Sequence, residues 1–350
     1  MTRVRRSVLI FGGSLALVLV LPVVLSAYYL GLVTTALILA ILAMSANLLL
    51  GYLGLASVGQ AAFFGIASYS VAIFTKNFNV SGWSAIGVAL LISMGAAAAF
   101  GPLAIRTRDI FFLVIMLAFC QILYGATYSW RSVTGGDDGL PGLARPDLMP
   151  GISLESPLSY YFFVVAVFVV ILAGFWLLVN SPFGLTFKGI RDSEERMRIL
   201  GYNVWLYKYL AFIIAAFFGG VSGVLHAYYY GVPNPADFSL IHSSSALLMV
   251  ILGGPGTLLG PLAGSLIIVF LRDIVGNFTD RWFMVLGLAY VLVVLFFPGG
   301  LLGSRKEHGS KPIFPSEKEH SDGSALKIDG DQMKDKRLVE NPGQEGNSLQ

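Results

Sequence analysis

The chain has 350 residues, 56% of them hydrophobic and only 12% charged, about half the usual charged share. With a mean hydropathy of +0.75, so little charge cannot keep a water-soluble surface dispersed. The net charge of +3 averages an apolar body with a polar tail, and nothing in it calls for a nucleic-acid partner.

From Ser7 to Thr75 there are 69 residues without Asp, Glu, Lys or Arg. As one helix that stretch would reach about 100 Å, whereas about 20 apolar residues cross a bilayer core of about 30 Å. It must fold back on itself, most simply as three crossings. Arg3, Arg5 and Arg6 ahead of the first run resemble the start of a secretory signal. The run is longer than a signal core, however, and Leu25 spoils the small-x-small pattern at Ser26-Ala27, so it reads as a first span starting in the cytoplasm. Further charge-free runs cover 77–105, 110–130, 156–187, 209–236, 238–271 and 282–304. They are continuous rather than alternating, which argues for helices over a strand barrel.

The expected spans are 8–27, 29–50, 53–75, 83–105, 110–130, 158–179 and 206–229, then an interrupted stretch at 242–272, then 282–298. The fold class is therefore an all-α integral membrane protein, a polytopic helical bundle of about 8–10 membrane segments. Trp83, Trp130, Trp205 and Trp282 fall at span edges, as interfacial rings do. The Lys/Arg bias puts Arg106, Arg108, Lys188, Arg191, Arg196 and Arg198 inside, and the 131–157 and 230–241 loops outside.

Within 242–272, Gly253-Gly254-Pro255-Gly256 should break a helix. Such a break is tolerated at membrane depth only where protein or water covers the backbone. A segment that dips in and returns outside lets 282–298 deliver both termini to the cytoplasm; a single crossing would leave the C-terminus outside. The nearby Arg305, Lys306 and Lys311 favour the first. The permease-like body is assigned to 1–303. The tail, 304–350, is polar and of mixed charge, too poor in apolar residues to offset ordering, and reads as disordered.

Residues 180–205 are the one long, charged internal loop on the inside. Ser181-Pro182 ends the preceding helix. Asp192 or Ser193 caps a short helix that Gly201 stops, with Ile190, Met197 and Leu200 as an apolar stripe. A solvated connector and an amphipathic helix that docks into a soluble partner are both open on composition.

This loop, with Phe183-Gly184, Ile190-Arg191-Asp192, Glu194, Leu200-Gly201 and Tyr207-Lys208-Tyr209, resembles the cytoplasmic coupling loop of permease subunits of ATP-binding-cassette importers. Glu195 stands six residues before Gly201, the spacing of that family's Glu-Ala-Ala…Gly loop, with Arg196 and Met197 in place of the alanines. Three further stretches are similar to the branched-chain amino-acid permeases, M-type subunit: Gly51 to Gly65, Thr134 to Gly139, and Leu252 to Pro261. The resemblance runs from about 30 to 303 and leaves the tail uncovered. It implies a bacterial inner-membrane location, a second homologous permease, two cytoplasmic ATPases and an external solute-binding protein. It also implies Arg191, Glu194, Glu195, Leu200 and Gly201 as the ATPase-coupling residues. Sister permeases for urea, amides or aromatic acids share these motifs.

No Gly-x-x-x-x-Gly-Lys-Ser/Thr loop occurs in the chain, so ATP is expected on partner subunits and no cofactor on this one. The span interiors carry no acidic or basic residue, which weakens a proton-coupled carrier, though not a sodium-coupled one. An intramembrane enzyme would need a paired polar constellation that the spacing does not display. Glycine-interrupted segments often flank a transporter's solute site. Asn47, Ser57, Gln60, Gly253, Gly254 and Thr257 are therefore the translocation-path candidates. The competing reading is tight packing, since Ala61/Gly65, Gly219/Gly223 and Gly256/Gly260/Gly264 have small-xxx-small spacing. Asp137 and Asp138 are either an external gate or binding-protein contact, or an acidic turn, and Pro233 to Asp237 has the same two readings. His226 is expected as an interfacial anchor, and no histidine pair has metal-ligand spacing.

Overall fold

A computed structural model of the chain describes residues 25–302 except 79, 108, 147–153, 279–283, 285–286, 289–290 and 292–299, together with Pro22. Most of the expected spans 8–27 and 282–298, and all of the 304–350 tail, lie outside the described residues. Within them every regular element is helical. In chain order the α-helices of six or more residues are α1 (Ala27–Asn47), α2 (Gln60–Asn77), α3 (Gly82–Ala104), α4 (Asp109–Ser129) and α5 (Pro157–Asn180). Then come α6 (Pro182–Asp192), α7 (Glu194–Ile199), α8 (Val204–Tyr230), α9 (Leu240–Gly253) and α10 (Gly260–Phe278). Among the described residues, six helices are long and apolar enough to cross a bilayer: α1 with its extension to Tyr52, α3, α4, α5, α8 and α10. This is a multi-pass membrane protein.

Uniform apolarity marks a helix buried on all sides. α1 shows it best: 89% of its most apolar window is buried, against 22% for α3 and for α4. α1, α2 and α8 form the centre, and α3, α4 and α10 present apolar flanks outward. Helices already in lipid gain little by hiding leucine, so close approach and interhelical hydrogen bonds must hold them. Serines do this repeatedly. Ser222 Oγ donates to the Ile38 carbonyl at 2.6 Å, and Ser93 Oγ lies 3.2 Å from the carbonyls of both Phe63 and Ala216.

Gly223 on α8 lets the α2 backbone come close. A Cβ there would stand 2.0 Å from the Phe64 carbonyl oxygen. Gly223→Val should therefore cut the folded, monodisperse yield in detergent several-fold. Gly87→Val, at a glycine with open space around it, should leave the size-exclusion profile unchanged.

One expected span is rebuilt. The run 53–75 is not one helix: α1 continues through a wide π-type turn, Leu48–Tyr52, the chain is non-helical over 54–59, and α2 starts only at Gln60. Gly51, Gly54 and Gly59 lower helix propensity together, and Gly54 takes φ +79°, a left-handed conformation that ends the helix. Most of 53–59 is buried, so protein covers the interrupted backbone.

The stretch 242–272 is a helical hairpin. α9 has 14 residues, about 21 Å of helix, too short to cross. Gly253 faces Gly260 and Gly264 faces the Met249 carbonyl, so α9 and α10 run antiparallel. The chain leaves α8 beside α1, where the Tyr229 hydroxyl meets the Gly31 carbonyl at 3.3 Å, and α10 returns Asp273 to the Tyr28 hydroxyl at that same end. The segment dips in and comes back.

Candidate functional site

The charged loop folds as two helices, where one short helix is expected. Ser181 caps α6, accepting from the Gly184 amide, with Pro182 at its first position. Ser193, in an extended conformation (φ −164°, ψ 105°), caps α7 by accepting from the Arg196 amide. Asp192 closes α6 instead of capping α7. Gly201 follows α7 at φ +86°. The apolar stripe is split accordingly: Ile190 is buried in α6, Met197 is half-buried, and Leu200 lies past α7 and is 70% exposed. Ile199 beside it is 80% exposed, and Phe183 and Leu185 are exposed on α6.

The acidic residues of the loop divide by orientation. Glu195 is exposed. Glu194 is held by Arg198 at 2.6 Å and by the buried Lys208 at 2.7 Å, which bolts α7 to the base of α8. Lys208 is the buried member and Glu194 is half-exposed, so removing the carboxylate would strand the Lys208 ammonium inside the protein.

Arg191 turns into the bundle. Its Nη1 donates to the Gly51 carbonyl at 2.7 Å and lies 3.2 Å from where a Cβ on Gly256 would be. Gly51 in turn packs against the hairpin tip, since a Cβ on it would be 2.2 Å from the Gly256 nitrogen. Asn47 ties the same two segments. Its Nδ2 donates to the Thr257 carbonyl at 2.8 Å and its Oδ1 accepts from the Gly256 amide at 2.9 Å. Residues 300–302 strap the tip from its other side, with the Leu301 and Leu302 amides donating to the Leu252 and Gly253 carbonyls. The loop helices, the break after α1 and the break between α9 and α10 therefore meet at one node.

The remaining path candidates stand along a buried polar track leading away from it. Gln60 Nε2 donates to Ser57 Oγ at 3.4 Å, and Ser45 Oγ lies 2.6 Å from Gln60 Oε1 and from the Ala215 carbonyl. The Ala61 amide, one residue on, donates to Ser243 Oγ on α9 at 3.2 Å. Asn47, Ser57 and Gln60 are buried. Gly253 and Gly254 are buried in the hairpin tip, and Thr257 is half-buried.

Farther along, the fold assembles a cluster that spacing did not suggest. His226 Nδ1 on α8 faces Asp237 Oδ1 at 3.6 Å. The His226 and His242 rings are 5.9 Å apart, and each packs on Phe64 of α2. His226 is thus an internal residue and not a surface anchor. Asp237 Oδ2 accepts from Ser68 Oγ at 2.8 Å and from the Asn234 amide, completing a capping box on the turn Pro235–Phe238. Burial pushes the Asp237 carboxyl above the ordinary carboxylate range. Asp237→Asn, whose side-chain oxygen can still accept from the Asn234 amide, should fold like the parent. Asp237→Ala, which leaves the Asn234 amide and the Ser68 hydroxyl without their acceptor, should lose about 1–3 kcal/mol, visible as a lower unfolding temperature in detergent. Asn-Pro-x-Asp at 234–237 was the available signal. Nothing in the sequence brings His226 and His242 to it.

Asp137 and Asp138 sit exposed on a turn of glycines at the α8-exit end. That turn packs on the 231–235 loop: the Leu140 amide donates to the Pro233 carbonyl and the Leu143 amide to that of Gly231. Arg145, which belongs to none of the motifs, staples this surface. It donates to the carbonyls of Tyr228, Tyr229, Leu154 and Glu155, and its guanidinium lies 4.4 Å over the Tyr160 ring. Among the described residues no group of three or more His, Cys, Asp or Glu is placed to hold a metal.

The sequence profile of the family described as branched-chain amino acid transport system / permease component matches residues 28–295. The high-affinity branched-chain amino acid transport system permease protein LivM of Salmonella typhimurium is 26% identical over 303 residues, covering 80% of this chain and 71% of its own length. LivM of Escherichia coli is 26% identical over 310 residues, 82% and 73% of the two chains. The autoinducer 2 import system permease protein LsrC of Klebsiella pneumoniae is 30% identical over 223 residues, 56% and 62% of the two chains. No solved structure matches.

Proposed function

The chain belongs to the branched-chain amino acid transport system / permease component family, and on that premise we propose that it is the transmembrane subunit of an ATP-driven importer. Its solute is a branched-chain or other hydrophobic amino acid, as the names of the two LivM relatives suggest. It pairs with a second homologous permease in a bacterial inner membrane, its 1–303 body spanning the bilayer and both termini in the cytoplasm. Two separate ATPases dock under the 180–205 loop. A solute-binding protein approaches the opposite end, where Asp137 and Asp138 are exposed.

The observation that carries this reading is the two-sidedness of α6–α7. Their outer edge offers Ile199, Leu200 and Glu195 to solvent. Their inner side is joined to α8 through Glu194 and Lys208 and to the Gly51 carbonyl through Arg191, whose guanidinium also stands close to Gly256 at the other break. A load applied to the exposed edge has a direct route to the interrupted segments, which in transporters commonly line the solute path. The LsrC relative, a permease of an autoinducer 2 import system by its name, supports a second solute class on the same machinery.

Uptake by reconstituted vesicles separates the readings. Labelled leucine should accumulate only when the second permease, the ATPases, the binding protein and ATP are all present. Accumulation by this chain alone under a sodium or proton gradient would make it a secondary carrier. ATP-driven uptake of autoinducer 2 with none of leucine would leave the mechanism standing and change the solute.

A further inference from the structure

The coupling role expected of Arg191 was contact with the ATPase, yet its side chain runs the other way. We propose that Arg191 is a positioning residue inside the permease: it clamps the break after α1 to the tip of the α9–α10 hairpin, and motion of the cytoplasmic loop reaches both breaks through it. This inference rests on the ATP-driven reading above and names the residue that transmits the stroke.

Three features make Arg191 the link. It is the last-turn basic residue of α6, held in register by the Ser181 cap and the buried Phe187 and Ile190, so its base moves with the loop. Its guanidinium ends on a carbonyl in the last turn of the helix that stops at Leu53, that of Gly51 at 2.7 Å. A helix leaves such carbonyls without an intrahelical donor, and a charged donor there makes a strong bond. The same guanidinium abuts Gly256, whose amide is fixed by Asn47. Gly54 also lies against the stem, with its Cβ position 3.0 Å from Arg191 Cγ. Large side chains at 51, 54 or 256 would push the clamp apart, and all three positions are glycine.

In this conformation the clamp holds the two interrupted segments together at the loop end of the bundle. Displacing α6 draws the guanidinium away from Gly51 and leaves the Asn47 hydrogen bonds and the Gly51–Gly256 packing to hold the two segments. Rearrangement of the two breaks is then linked to the position of the loop, which is what conversion of ATP hydrolysis into alternating access requires.

The test uses the whole importer in nanodiscs or vesicles, with Arg191→Ala and Arg191→Lys. A positioning role predicts that Arg191→Ala still retains the ATPases on purification and keeps basal hydrolysis. It should lose the stimulation of hydrolysis by leucine-loaded binding protein, and leucine uptake should fall roughly tenfold or more, within the usual span of coupling effects. Arg191→Lys, which keeps a donor on a shorter, unforked head, should recover part of both. If Arg191→Ala does not accumulate in the membrane, Arg191→Lys carries the test alone, with reduced stimulation at full ATPase retention as the expected result. Loss of the ATPases from either variant would make Arg191 a docking contact, and unchanged uptake would remove it from the coupling route. Failure of the parent chain to take up any solute with its ATPases would instead overturn the importer reading itself.

Discussion

Replacing Ile199 and Leu200 together by aspartate is expected to release the ATPases from the purified complex and to abolish ATP-dependent uptake. The two side chains are 80% and 70% exposed, and neither supports the fold from inside. An apolar pair left in solvent at the edge of a short helix is the kind of feature that a partner's groove covers. Interface anchors of this type typically contribute about 2 kcal/mol or more each. Losing two would weaken docking by roughly a thousandfold, before the cost of bringing two carboxylates to an apolar groove. Membrane insertion and the detergent unfolding temperature of the isolated permease should not change, because nothing within the bundle rests on these residues. Quantitative co-purification of the ATPases with and without the substitutions measures it.

The second large effect is expected at Asn47. Its amide closes two hydrogen bonds to the hairpin tip, one as donor to Thr257 and one as acceptor from Gly256, in a fully buried position. Asn47→Leu keeps the branched shape but strands the half-buried Thr257 carbonyl and Gly256 amide, at about 1 kcal/mol or more apiece. The isolated permease should unfold several degrees earlier, and leucine uptake should fall at least tenfold while the ATPases remain bound. Asn47→Asp should be intermediate, since it still accepts from Gly256 but turns a second oxygen toward the Thr257 carbonyl. This separates damage at the node from loss of docking, which the Ile199/Leu200 pair produces without destabilisation.

Much of the bundle is legible because apolar run length and charge-free spacing report membrane crossing directly. α3, α4, α5 and α8 begin and end within a few residues of where the sequence places them. What goes astray is governed by local backbone chemistry or by long-range contact. The run 53–75 is apolar throughout, so hydropathy cannot show that glycines at 51, 54 and 59 leave the chain non-helical until Gln60. The hairpin at 242–272 was visible, since Gly-Gly-Pro-Gly is a break in any context. At the node, Asn47 and Thr257 each stand out in the sequence as polar residues near glycine, but their bond spans 210 positions and no local pattern reports it. Arg191 and Glu194 were legible as members of a charged loop, whereas their inward orientation depends on where Gly51 and Lys208 stand. The His226–Asp237–His242 cluster was missed for the same reason, as each member has an ordinary local explanation.

Side-specific labelling of Glu195→Cys in a Cys120→Ser background tests most directly whether the α6–α7 loop faces the ATP-bearing compartment. Cys120 is the chain's single cysteine and is buried, so the new thiol is the only accessible one. A membrane-impermeant maleimide should modify inside-out vesicles, with protection when the ATPases are bound, and should leave right-side-out vesicles unlabelled. Modification of right-side-out vesicles alone would place the loop on the far side of the bilayer and contradict every assignment made to it.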